Sequence, residues 1–170
     1  MGSRYDDLLA QNTMSETPLS SAIETLEILM QSRYKTETDQ RVLQNILSWF
    51  DDFRNLPIPQ EVWLQCQLAL IEGFTNVVRH AHRGLPTETP IEIEVIATSA
   101  CMDIKIWDCG PGFDFESVLS NKLQQSNLDS PGGRGLSIMY RVADSVEYSR
   151  TADQRNCLHI RKCFEEPVGL

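Results

Sequence analysis

One stretch, Gln60–His82, limits what this chain can fold into more than any other. It follows Pro57-Ile58-Pro59 and stops before Arg83-Gly84-Leu85-Pro86, which are start and stop signals for a helix. A helix turns about 100° per residue. With Glu72 at zero on that wheel, Trp63, Leu70, Phe74, Val77 and Ala81 fall within roughly 40° of the opposite pole and form a core stripe. Glu72 and Asn76, four apart, are neighbours on the other side, with Gln65, Ala69 and His80 near the same line. One face packs and the other presents a carboxylate beside an amide. Taken alone, that pair is a solvated polar stripe such as most amphipathic helices carry. The rest of the chain changes the reading.

With 170 residues, the chain has the length for one domain with a proper core. Its 41% hydrophobic and 23% charged residues are those of an ordinary soluble globular protein. The net charge of -9 argues against a non-specific nucleic-acid binder, which needs a basic footprint. It leaves room for a phosphate held by backbone amides, and an acidic surface suits a basic protein partner. The five cysteines, Cys66, Cys101, Cys109, Cys157 and Cys163, include no Cys-x-x-Cys, and no secretory leader is apparent. Reduced thiols in the cytoplasm are the simplest expectation. The three histidines make no zinc spacing with them, and no apolar run approaches a membrane span.

Residues 1–20 are polar and aperiodic, and read as a disordered leader or an appended tag outside the fold. Alternation over Thr25–Tyr34 predicts a strand. Thr38-Asp39 offers a cap for a helix reaching about Phe53, with Val42, Leu43, Ile46, Leu47 and Phe50 in helical period. After Gln60–His82, Ile91–Val95 and Met102–Asp108 alternate as two strands of a hairpin. From Gly110 to Gly133 the apolar period fades, which in a compact domain marks a lid, a binding loop or disorder. Gly132-Gly133-Arg134-Gly135 opens a helix through Val142, and Val146–Ser149 and Cys157–Cys163 make two last strands before a frayed tail, 165–170. The order predicts an α+β two-layer sandwich over residues 21–164, a mixed, mostly antiparallel sheet with helices on one face.

Three features carry chemistry. Strand parity puts Asp108 at the end of the apolar row Met102, Ile104, Ile106. A carboxylate there must find donors, and the exocyclic amine of adenine is one; the plainer reading is an Asp that starts a turn. Asp108-Cys109-Gly110-Pro111-Gly112 follows, and its two glycines let backbone approach a ligand or take positive φ. Gly133, Arg134, Gly135 and Leu136 form a glycine-rich helix start that aims amides at an anion. It lacks the Walker lysine and the context of a dinucleotide fold.

In this order, a helix with Glu-x-x-x-Asn, a strand ending in Asp-x-Gly-x-Gly, and Gly-x-Gly-Leu opening a helix resemble the GHKL ATPase superfamily, which includes gyrase and the histidine kinases. Glu72-Gly-Phe-Thr-Asn76-Val-Val-Arg-His80-Ala81 is similar to the Glu-x-x-x-Asn-x-x-x-His-Ala box of the bacterial anti-sigma-factor serine/threonine-protein kinases. The resemblance covers roughly Thr25 to Phe164 and implies a Bergerat ATP-binding fold with ATP and Mg²⁺ as ligands. It makes Glu72 the general base for a serine hydroxyl and Asn76 the Mg²⁺ ligand. It makes Asp108 the acceptor of the adenine amine, with Gly110 and Gly112 beside the base. It makes residues 113–131 the lid and has Gly133, Gly135 and Leu136 meet the phosphates. Arg79, His80 and Arg134 are cations on the phosphate side, each with a plainer reading as a surface or packing residue. The implied partners are a STAS-type anti-anti-sigma protein and a sigma factor or other regulator, with a homodimer also in view and no nucleic acid or membrane bound directly. His82 stands where the family usually has an aromatic, and Asn156-Cys157 where it usually has Gly-Thr; the last hairpin is therefore assigned no ligand contact.

Four functions compete. The first is a protein serine/threonine kinase that phosphorylates its antagonist and sequesters a regulator. The second is an ATP-gated binding module with no chemistry. The third, a histidine-kinase output domain, lacks a preceding helix pair with a phospho-accepting histidine. The fourth is a plain α+β domain that binds no nucleotide.

Overall fold

The computed structural model describes residues 27–112 and 134–165. Five strands form one sheet in the order β1-β2-β3-β5-β4, with β1 at Ile28–Thr36, β2 at Ile91–Thr98, β3 at Cys101–Asp108, β4 at Ser145–Arg150 and β5 at Asn156–Cys163. Every pairing among the described residues is antiparallel, so the parallel component of a mixed sheet is not seen there. The helices are α1 (Leu43–Phe50), α2 (Gln60–Asn76) and α3 (Arg134–Val142). The predicted α+β class holds. The expected first helix is broken into tighter 3-10 turns at Gln40–Val42 and Asp51–Asn55 flanking α1. Asp39 caps its start, accepting from the Arg41 amide at 2.8 Å.

Strand parity builds the core. Ile91, Ile93, Val95 and Ala97 of β2, Met102, Ile104 and Ile106 of β3, and Leu158 and Ile160 of β5 all face the helices and are buried. Phe50 and Phe53 stack at 5.7 Å between centroids, and Phe50 stacks on Trp63 at 5.6 Å, which ties α1 to the start of α2. Each of these large apolar side chains contributes about 1.5–3 kcal/mol on burial.

Two expectations are corrected. α2 packs against the sheet on one side and α3 on another, so its buried arc is wider than one stripe: Ala69, set on the polar line by the wheel, is buried. The face left open carries Leu64 and Leu68. Second, the five cysteines are not all thiols. Antiparallel pairing of β3 with β5 brings Cys101 opposite Cys163, with Cα atoms 4.0 Å apart, and the two are joined in a disulfide. A sequence separation of 62 hides that pairing from any spacing rule. Cys66, Cys109 and Cys157 are free, and burial pushes the Cys66 thiol up to about 12, which makes it inert.

No described helix is long and apolar enough to cross a membrane.

Candidate active site

α2 does not run to His82 as a regular helix. It ends at Asn76 and continues as a π-helical turn over Val77–Ala81, closed by the His82 amide on the Val77 carbonyl at 2.9 Å. The change of winding redirects everything after it. On a regular wheel His82 lies about 80° from Glu72, on the open side with Leu64. One extra residue in the turn carries it back by about 100°, toward the core pole. His82 is accordingly only 2% exposed.

The turned segment meets the end of β3. The His82 Nε2 accepts from the Cys109 amide at 2.9 Å, and the Ala81 carbonyl lies against Gly110. A Cβ on Gly110 would sit 2.5 Å from that carbonyl oxygen, so only glycine allows the approach. Gly112 takes φ 78°, the left-handed region, beside the Asn156 side chain. Asp108 is 2% exposed and continues the apolar row, as strand parity predicts. Its Oδ1 accepts from the Gly110 amide at 2.8 Å and from Asn156 Nδ2 at 2.9 Å. These donors are neutral. The nearest ring nitrogen, His82 Nε2, is 3.7 Å away, and burial holds that imidazole below its usual pKa despite the opposing pull of Asp108.

Asn156 and Arg150 are the residues that sequence reasoning left out. Asn156 stands opposite Asp108 in the β3–β5 register and is 1% exposed. Its amide nitrogen also donates to the Gly110 carbonyl at 3.0 Å, and its oxygen accepts from Arg150 Nη1 at 3.2 Å. Arg150 Nη1 reaches the Pro111 carbonyl at 2.9 Å as well. The last hairpin therefore braces the Asp-x-Gly-x-Gly turn. The signal available was parity: Asn156 is two and four residues before Leu158 and Ile160, on their inward face.

Glu72 and Asn76 project from the last turn of α2, both half-buried. Among the described residues no group hydrogen-bonds either side chain. The Glu72 carboxylate lies against the first turn of α3: a Cβ on Gly135 would come 2.6 Å from Glu72 Oε2. This sets the carboxylate at the amide-rich, positive end of a helix. Leu136 buries its side chain in the core, which leaves only its backbone for a ligand. Arg79 is engaged by Gln40 of the segment before α1; with the Gln40 amide turned to present its oxygen, the contacts are 2.7 Å to Nε and 3.1 Å to Nη2. His80 is exposed. Gly133, the lid at 113–131 and the Arg134 side chain lie outside the described residues. The structure thus brings together Glu72 with Gly135, and Asp108 with Gly110, His82 and Asn156. Ala81 and His82, a turn beyond Asn76, link the two groups.

Among the described residues there is no cluster of three or more His, Cys, Asp or Glu side chains suited to a metal. A cavity of about 270 Å³ lies on the other face of the sheet, lined by Arg33, Lys35, Glu92, Trp107 and Arg155.

Comparison with the curated proteins finds none that matches. Among solved structures, the fold is similar to a chain in the crystal structure of the SiaB-SiaC complex from Pseudomonas aeruginosa, with 12% identity and a TM-score of 0.54, over 82% of this chain and 92% of that one. The family model of the histidine kinase-like ATPase domain matches residues 36–162, from the last residue of β1 to Lys162 near the end of β5. The chain belongs to the histidine kinase-like ATPase domain family, a membership that implies ATP binding.

Proposed function

We propose that the protein is an ATP-dependent serine/threonine kinase of the anti-sigma type, which phosphorylates a STAS-type antagonist and, when free of it, sequesters a sigma factor or similar regulator. The observation that carries this reading is the Glu72 carboxylate, half-buried and without a hydrogen-bond partner among the described residues, set against Gly135 where α3 begins.

The residues fit an adenine nucleotide. The Asp108 carboxylate receives its donors at Oδ1 from uncharged groups, which leaves it acceptor capacity for the adenine amine. Gly110 and Gly112 would keep side chains away from the base, and the backbone at the start of α3 would meet the phosphates. Asn76 would hold Mg²⁺ through its amide oxygen, the remaining ligands being phosphate and water oxygens. Mg·ATP supplies the phosphoryl group and the charge neutralisation.

Glu72 then acts on the incoming protein. The serine hydroxyl oxygen forms a bond to the γ-phosphorus, the bond from that phosphorus to the β–γ bridging oxygen breaks, and ADP leaves. Glu72 accepts the hydroxyl proton, a role worth about 10²–10⁴ in rate. The domain is taken to span residues 21–164, and a homodimer is part of the proposal. The fold's occurrence in a two-protein complex is in keeping with a partner-binding role.

A second reading, an ATP-gated binding module without chemistry, differs only at Glu72. The experiment is incubation of a candidate STAS-type antagonist with the protein and Mg·ATP, followed by mass spectrometry. The kinase reading expects the antagonist to gain the mass of one phosphate, and Glu72→Ala to bind ATP but transfer nothing. Nucleotide-dependent capture with no mass gain favours the binding module. Transfer that persists in Glu72→Ala refutes the base assignment.

A further inference from the structure

We propose that His82 is a positioning residue for base recognition: as a neutral imidazole it anchors the Cys109 amide, holds Asp108 and Gly110 in register, and weakens adenine-nucleotide binding when it gains a proton. This inference rests on the nucleotide reading above.

The hydrogen-bond geometry fixes the tautomer. Thr38 Oγ1 lies 2.7 Å from the Thr89 carbonyl, which can only accept, so the hydroxyl proton goes there. The same oxygen is 2.6 Å from His82 Nδ1 and must accept from it, so Nδ1 carries the hydrogen. Nε2 is then the bare nitrogen, and it accepts from the Cys109 amide at 2.9 Å. All three bonds are satisfied at once only by the neutral ring. The Thr38 amide, bound to the Thr87 carbonyl at 2.9 Å, ties the segment before α1 to the turn before β2. The imidazole therefore joins three segments of chain at the residue that follows Asp108.

Protonation reverses one of these bonds. Nε2 becomes a donor facing the Cys109 N–H, which is also a donor, and that bond is lost. Asp108 on β3 is the charged group facing the ring, with Oδ1 at 3.7 Å. The segment before α1 offers the uncharged Thr38, and the turn after β3 offers the Cys109 amide. An imidazolium draws Asp108 Oδ1 toward itself, in competition with the Gly110 and Asn156 donors. Burial holds the ring neutral at neutral pH, so the change falls on the acid side of the ordinary histidine range.

The test is calorimetric titration with Mg·ADP at about pH 8 and about pH 5.5 for the wild type, His82→Gln and His82→Phe. Glutamine keeps an acceptor near Nε2 that does not titrate; phenylalanine keeps the ring and loses the acceptor. His82→Phe is expected to bind about fivefold more weakly than the wild type at the higher pH, and His82→Gln to recover part of that loss. On acidification the wild type is expected to lose about threefold more affinity than His82→Gln, whose remaining pH dependence belongs to the nucleotide phosphates and other groups. Equal pH dependence in wild type and His82→Gln overturns the proposal while the nucleotide reading stands. So does a His82→Phe variant that folds and binds as tightly as the wild type; should it not fold, the glutamine comparison decides. A wild type that binds no Mg·ADP at the higher pH removes the nucleotide reading, and this one with it.

Discussion

Strand β3 carries two buried carboxylates, and they are kept in opposite ways. Asp103, on the outer face, is 7% exposed and is closed in by the Arg161 guanidinium, Nε at 2.7 Å, and by His159 Nε2 at 2.6 Å. Glu94 on β2, opposite Lys105 of β3, is paired with Arg33 at 2.8 Å. Asp108, on the inner face at the strand end, is 2% exposed and meets an amide of the backbone, an amide of Asn156 and a neutral imidazole. A carboxylate paired with a guanidinium is completed by its own chain and serves the fold. One whose neutral donors both meet a single oxygen has acceptor capacity left at the other. Burial alone does not separate these two carboxylates; the charge of their partners does.

The largest expected effect is on nucleotide affinity. Asp108→Asn keeps an oxygen for Gly110 and Asn156, so its unfolding midpoint should move little. Opposing an amide to the adenine amine should cost about two orders of magnitude in ATP affinity by calorimetry. Asp103→Ala should do the reverse: about 2 kcal/mol of stability lost in urea unfolding, with ATP affinity unchanged. If both variants lose affinity equally, the contrast between the two carboxylates fails. Asn156→Ala should fall between them, with about 1 kcal/mol of stability lost and a severalfold weaker ATP affinity, because it braces the turn without touching the base.

Acid unfolding sharpens the same contrast with a smaller effect. Burial raises the pKa of Asp103, but its bonds to Arg161 and His159 outweigh burial and hold it below the usual range. Burial likewise raises Glu94, and Arg33 and Gln31 outweigh it. Both folded values lie below the unfolded ones, so the unfolded chain binds more protons. The stabilisation is present above the unfolded values of 3.8 and 4.5 and is lost as pH falls through the folded ones. Urea midpoints measured from neutral pH down to acid should therefore fall less steeply in Asp103→Asn than in the wild type.

What was legible in the sequence follows from which signals are local. Alternation placed β2, β3 and β5 and set Asp108 on the inner face, because a strand's parity depends only on counting. Glycine beside proline marked the turn that Gly110 and Gly112 make. The wheel put Glu72 and Asn76 together, and α3 then covered one flank of that face, which no property of α2 by itself predicts. The π turn at Val77–Ala81 has no composition signature, so a regular wheel sends His82 to the wrong side. Asn156 and the Cys101–Cys163 bridge depend on β5 entering the sheet beside β3, a choice of topology rather than of local pattern.

The central claim is that Asp108 stays open because it reads the amine of a purine. Mg·GTP presents a carbonyl where Mg·ATP presents that amine, so calorimetric titration of the wild-type protein with each nucleotide in turn tests it directly. The account predicts tight binding of Mg·ATP and binding of Mg·GTP weaker by at least about tenfold. Equal affinity for the two, or no binding of either, would contradict it.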